Sequence, residues 1–136
     1  MTHLLDRSAL LAHYLAEPGA TRVQALFEDT AVAAGTSILA LFEFDLRLHQ
    51  LGIEAATRVA ELNRYRALLA EVVNVDEAIR SEGVRLRMGA TARASAMDTL
   101  IAATASVCGA MLVHRDPHFT GIPATMRKQE MLPPKK

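Results

Sequence analysis

The stretch LVHRDPHF, residues 112–119, holds an acid, two histidines and an arginine within five positions, directly after an apolar run with the character of a buried strand. Asp116 precedes Pro117, a pairing that commonly turns the chain, yet a carboxylate at a strand end is equally placed to hold a ligand. His114 and His118 belong to the one side-chain type that ordinarily titrates near neutrality, and they can bind phosphate or simply pack. Four further acids raise the same choice. Asp6 follows HLL and either holds a ligand or, with Ser8, caps the next helix. Asp98 is the only charged residue between Arg93 and Arg115, and Ser95-Ala-Met-Asp98 also fits a capping box. In ILALFEFDLRLHQ, Glu43 and Asp45 have Arg47 and His49 four residues on, so each has an ion-pair role available. That helix is too apolar for periodicity to choose between the two acids.

The elements that must position these groups alternate in type. Residues 3–6 read as a short strand, and residues 8–17 as a helix with Ser8 at its N-cap, broken by Pro18-Gly19. A helix over 20–29 carries Val23, Leu26 and Phe27 on one face, AVAAGTS reads as a strand, and ILALFEFDLRLHQLG as a helix closed by Gly52. A long helix follows from 53 to about 70, then the strand EVVNV, then a helix capped by Asp76 and running towards Gly89. A small-residue helix over 96–108 ends at Gly109, residues 110–113 form another strand, and ATMRKQEML adds an edge strand. Short apolar strands between helices predict an α/β fold: a short parallel central sheet flanked by helices in three layers. Asp6 and Asp116 then share the carboxyl edge of the sheet, where ligands gather near the switch in strand order. A single domain over residues 1–132 and a disordered tail over 133–136 are expected.

Composition narrows the classes. The chain has 136 residues, 51% hydrophobic but only 4% aromatic, which points to an aliphatic, helix-rich core. The longest uncharged run, residues 99–114, is shorter than the roughly 18 apolar residues of a membrane span, so no membrane association is expected. The N-terminus has an acid where a secretory signal has its basic region, and Cys108 is single, so a cytoplasmic protein is expected. Net charge is zero, but residues 1–77 carry eleven acids and six bases while residues 78–136 carry four acids and nine bases. A basic second half suits a polyanionic partner, and it also fits surfaces that merely differ in sign.

Taken together these residues resemble the PIN-domain family, in particular the VapC-type toxins of type II toxin-antitoxin pairs. The resemblance covers nearly the whole chain and rests on LLDRSALL, on SILALFE with its acid six residues after Ser37, and on DTLIAATASVCGAMLVHRD. It implies a three-layer PIN-like fold and a Mg²⁺- or Mn²⁺-dependent endoribonuclease. The implied metal ligands and catalytic acids are Asp6, Glu43, Asp98 and Asp116, which selects Glu43 over Asp45. Hard divalent cations prefer oxygen ligands, and such ions activate water and stabilise the leaving oxygen in phosphodiester hydrolysis. Ser8 matches the hydroxyl that PIN domains keep two residues after the first acid, where it positions water or orients Asp6. Arg85, Arg87, Arg93 and Arg115 become candidate RNA contacts. The implied partners are an RNA substrate, a second copy of the chain in a homodimer, and an antitoxin whose tail occupies the acidic groove. His114 and His118 stand where many relatives have Ser or Thr and Asp, which thins the acidic complement around Asp116.

Two other readings compete. A catalytically weak PIN-like module would act only by binding RNA or protein, and the presence of all four matching acids favours activity over it. A phospho-receiver domain also has acids at strand ends, but it needs a lysine after a late strand and paired acids after the first. The lysines are Lys128, Lys135 and Lys136, and the acid pair is missing.

Overall fold

The structure is a computed structural model that describes residues 1–89, 94–117, 119 and 128–135. Among these, β1 (His3–Leu5), β2 (Ala34–Ser37), β3 (Val72–Val73), β4 (Met111–His114) and β5 (Gln129–Met131) form one sheet in the order β3-β2-β1-β4-β5, with every neighbouring pair parallel. The helices are α1 (Arg7–Tyr14), α2 (Ala20–Glu28), α3 (Ile38–Gln50), α4 (Ala55–Leu68), α5 (Glu77–Met88) and α6 (Ala96–Cys108). The chain builds β1, β2 and β3 outward on one side, then crosses back to lay β4 and β5 on the other. The strand order therefore switches between β1 and β4, the place where open parallel sheets bind ligands.

Side chains alternate across the pleat, and this splits the core in two. Leu4 and Leu112, register partners on β1 and β4, pack with Ile79 and Leu86 of α5 and Ile101 of α6. Their neighbours Leu5 and Val113 point the other way, into Leu10 of α1, Leu26 of α2, Phe44 of α3 and Tyr65 of α4. The result is the three-layer arrangement expected from the sequence. Each fully covered leucine contributes roughly 2 kcal/mol by removing its side chain from water.

Local chemistry places the element ends. Asp6, not Ser8, is the N-cap of α1: its carboxylate accepts from the Ser8 and Ala9 backbone N–H groups. That helix stops at Tyr14, short of the expected residue 17, and Ala16 takes a left-handed conformation at φ 52°. Gly109, at φ 63°, ends α6 in the conformation glycine adopts without strain and turns the chain into β4. Of the expected edge strand, Gln129–Met131 pairs with β4, while residues 124–127 lie outside the described residues. Arg22 of α2 fastens β5 through both carboxylate oxygens of Glu130, and Lys135 reaches Glu17 at 3.1 Å. No helix among the described residues is long and apolar enough to cross a membrane.

The helix that starts at the site is held from its far end. His13 of α1 lies between α2 and α4, with Nε2 2.7 Å from Gln24 Oε1 and Nδ1 2.6 Å from the Tyr65 hydroxyl. A carbonyl oxygen can only accept, so Nε2 carries the proton and Nδ1 accepts from Tyr65. Burial pushes the Tyr65 phenol up to about 12, which keeps it a donor at any ordinary pH.

Candidate active site

Asp6 ends β1 with its side chain almost fully enclosed. Its Oδ1 accepts three hydrogen bonds: from Ser8 N at 2.9 Å, Ser8 Oγ at 2.6 Å and Ala9 N at 3.1 Å. Those bonds favour the ionised form, but burial outweighs them and pushes the carboxyl up to about 7. A capping role and a ligand role coexist here, because all three bonds use Oδ1.

Glu43 and Asp45, which periodicity left undecided, point to different surroundings. Asp45 pairs with Arg58 of α4 at 2.9 Å. Glu43 accepts from Nη1 of Arg7 at 2.7 Å through Oε2, in place of the i+4 partner Arg47. Its other oxygen, Oε1, is buried and has no hydrogen-bond partner among the described residues. Burial raises the Glu43 carboxyl above the usual range; Arg7 opposes this, and the charges of Asp98 and Asp116 add to the rise. Asp98, in the first turn of α6, is buried, and its N–H donates to Ser95 Oγ at 3.0 Å. Asp116 lies just beyond β4, its Oδ2 at 3.7 Å from Nη2 of the same Arg7.

Arg7 therefore stands between Glu43 and Asp116, a role that the motifs in the sequence did not reveal. A signal was present, since a cation at the first position of a helix opposes the helix dipole unless acids lie close by. The guanidinium thus sets a cation that belongs to the chain against Glu43 and Asp116. Among the described residues no three His, Cys, Asp or Glu side chains come close enough to share one metal ion.

Ser8 ties the two strand ends together. Its hydroxyl donates to Asp6 at the end of β1 and accepts from the Arg115 backbone N–H, at 2.8 Å, at the end of β4. The hydroxyl thus adds a side-chain link to the backbone one that the Asp6 N–H makes to the Val113 carbonyl at 3.1 Å. His114 is fully buried, 2.7 Å from Gln129 Oε1 on β5 and packed on Phe119 with ring centroids 4.8 Å apart, so it serves the sheet. His118 lies outside the described residues.

The four candidate RNA-contacting arginines fall in different places. The guanidinium of Arg115 turns inward, to Glu17 Oε1 at 2.7 Å and the Pro18 carbonyl at 3.3 Å, with a side chain only 11% exposed. That seat suits a fastener between the site and α2 and leaves little for a phosphate. Arg85 is half-exposed and paired with Glu82, and Arg87 donates to the Ala94 carbonyl. Arg93 lies outside the described residues. Arg47 was not among the candidates from sequence; its hydrogen bond among the described residues is a long one, 3.5 Å to Gln50 Oε1. It lines a cleft of about 350 Å³ between α1 and α3, together with Arg7, Leu11, Glu43, Leu46 and Gln50.

Carboxylates gathered at the switch point of a parallel sheet define an α/β protein equipped to hold a cation at its ligand edge. The donor set fits a hard divalent ion in its chemistry: it is all oxygen, and Glu43 Oε1 is a buried carboxyl oxygen with no hydrogen-bond partner among the described residues. The family model for the PIN domain matches residues 3–124, and the chain belongs to that family. PIN domains are generally nucleases that use divalent metals, which makes the chain one of a family of hydrolases acting on nucleic acid. No curated protein matches it by sequence. Among solved structures it is similar to a chain of VapBC2 from Rickettsia felis bound to a DNA fragment from their promoter, at 18% identity and a TM-score of 0.77, covering 98% of this chain and 100% of that one. A chain of DNA-bound VapBC from Salmonella typhimurium matches at 18% identity and a TM-score of 0.76, covering 96% and 98%. FitAcB from Neisseria gonorrhoeae matches at 22% and 0.71, covering 94% and 96%. At these identities the likeness is one of fold.

Proposed function

We propose that the chain is a Mg²⁺- or Mn²⁺-dependent endoribonuclease and the toxin of a toxin-antitoxin pair, its nuclease domain spanning residues 1–132. The observation that carries this reading is the convergence of Asp98 and Asp116 on Glu43, with Arg7 paired to Glu43 and Asp116 and, among the described residues, no hydrogen-bond partner for the buried Glu43 Oε1. Asp6, Glu43, Asp98 and Asp116 are the carboxylates that would hold the ion, drawing together from the positions they take without it. When bound, a divalent cation supplies Lewis-acid activation of water and neutralises charge building on the scissile phosphodiester. Burial pushes Asp6 up to about 7 and raises Glu43, and a cation nearby opposes both rises by favouring the ionised forms. Ser8 orients Asp6 by occupying Oδ1, which leaves the other carboxyl oxygen for the ion. Arg47, beside Glu43 in the α1–α3 cleft, contacts a phosphate of the RNA strand next to the scissile bond.

The partners follow the same reading. A chain of this fold occurs in a toxin-antitoxin complex from Klebsiella pneumoniae and in VapBC-5 from Mycobacterium tuberculosis, of a family of toxin-antitoxin systems, and a cognate antitoxin that covers the acidic edge is the protein partner here. Phe42 and Leu46, exposed on α3, contribute to a homodimer contact. A catalytically weak binding module is the second reading, and Arg7 favours it to the extent that its guanidinium occupies the carboxylates. Incubation of the purified protein with total cellular RNA separates the two. Cleavage in Mn²⁺ that stops in excess chelator is the expected result, and cleavage at full rate in chelator overturns the metal mechanism.

A further inference from the structure

Among the described arginines that form ion pairs, Arg7 is set apart by its company. Arg22, Arg58, Arg64, Arg80, Arg85 and Arg115 each pair with an acid outside the catalytic set, whereas Arg7 pairs with two members of it. Its position opposes the dipole of α1, so that helix gives it no support. The pairing is also incomplete. Nη1 satisfies only Oε2 of Glu43, Oε1 is left unpaired, and Nη2 stands 3.7 Å from Asp116, beyond hydrogen-bond length. The Arg7 side chain is 39% exposed, which makes this a solvent-screened ion pair of modest strength and one that can be exchanged.

We infer that Arg7 is the exchangeable cation of the cluster: it neutralises Glu43 and Asp116 in the metal-free protein and gives them up to a divalent ion. Metal affinity is then set by competition with the protein's own arginine. The inference rests on the reading of these acids as a metal site and adds a residue that tunes it. Because the guanidinium is tied through an aliphatic stem to the first turn of α1, it can leave the carboxylates without unfolding the helix. Its neighbourhood outside them is the cleft shared with Arg47 and Gln50.

The test is calorimetric titration of the full chain with Mn²⁺ alone, so the readout is independent of cleavage. Arg7→Gln is expected to bind Mn²⁺ about tenfold more tightly than the parent, a difference of about 1.4 kcal/mol. Arg7→Lys, which keeps a cation, is expected to stay within threefold of the parent. Arg47→Gln, which removes a charge in the same cleft, is expected to leave Mn²⁺ affinity within twofold. At matched ionic strength, guanidinium ion should weaken Mn²⁺ binding to Arg7→Gln more than to the parent. Equal or weaker binding by a folded Arg7→Gln protein overturns the inference and leaves the metal site standing. Failure of both parent and variant to bind Mn²⁺ overturns the metal-site reading and the inference with it.

Discussion

Asp6→Asn should stabilise the metal-free protein above neutral pH, although it removes a residue assigned to the active site. The carboxyl is enclosed and stands at about 7, against an ordinary value of 3.8. In the unfolded chain it ionises near its ordinary value, while in the folded chain it keeps its proton until about 7. Between those values the native state holds a proton that the unfolded state has released, so stability falls as pH rises and levels off above 7. A rise of this size corresponds to about 4 kcal/mol, an upper limit at pH 8. Asparagine keeps an oxygen to accept from Ser8 N, Ser8 Oγ and Ala9 N, but adds an amide that must find partners at a cost of about 1–2 kcal/mol. The net expectation is about 2 kcal/mol, a rise in Tm of roughly 6 °C at pH 8 that shrinks to nothing or reverses below pH 5. Thermal unfolding of parent and variant in chelator, from pH 4 to pH 9, reads this directly. A variant less stable than the parent at every pH, with no dependence on pH in the difference, refutes the account of Asp6 as a carboxylate held against its solvation.

Ser8→Ala removes both hydrogen bonds of the hydroxyl that bridges Asp6 and the Arg115 N–H; it should cost about 1–2 kcal/mol in urea unfolding and lower RNA cleavage at least tenfold, because Asp6 loses the side-chain bond that orients it. Arg115→Gln should cost about 1–3 kcal/mol of stability, through Glu17 and the Pro18 carbonyl, and leave RNA affinity unchanged. Arg47→Gln should do the reverse: no change in Tm, weaker RNA binding, and a salt dependence of log K reduced by about 0.7, as for one lost contact to single-stranded phosphate.

The frame of the fold was legible because its signals are local and periodic. Short apolar runs between capped helices specified a parallel sheet, and Gly109 and Asp76 ended and began helices where expected. The start of α1 was misread because Asp6 and Ser8 both have capping chemistry, and only the backbone conformation decides which of them caps. The site was legible in part. Acids at strand ends can be located from strand ends, which serves Asp6 and Asp116 but not Glu43, whose helix is apolar all round. Arg7 was missed because its partners lie 36 and 109 positions away along the chain, a proximity that only the tertiary fold creates. Arg115 illustrates the converse, since its neighbours in sequence suggested a phosphate contact while its guanidinium turns back to Glu17.

The most direct test is cleavage of RNA by the parent and by Asp98→Asn in Mn²⁺, side by side. Asparagine keeps the Asp98 backbone bond to Ser95, so circular dichroism and Tm should show an intact fold. With a carboxylate-held metal as the source of activity, cleavage falls at least a hundredfold while the fold is unchanged. Undiminished cleavage by the folded variant contradicts that mechanism.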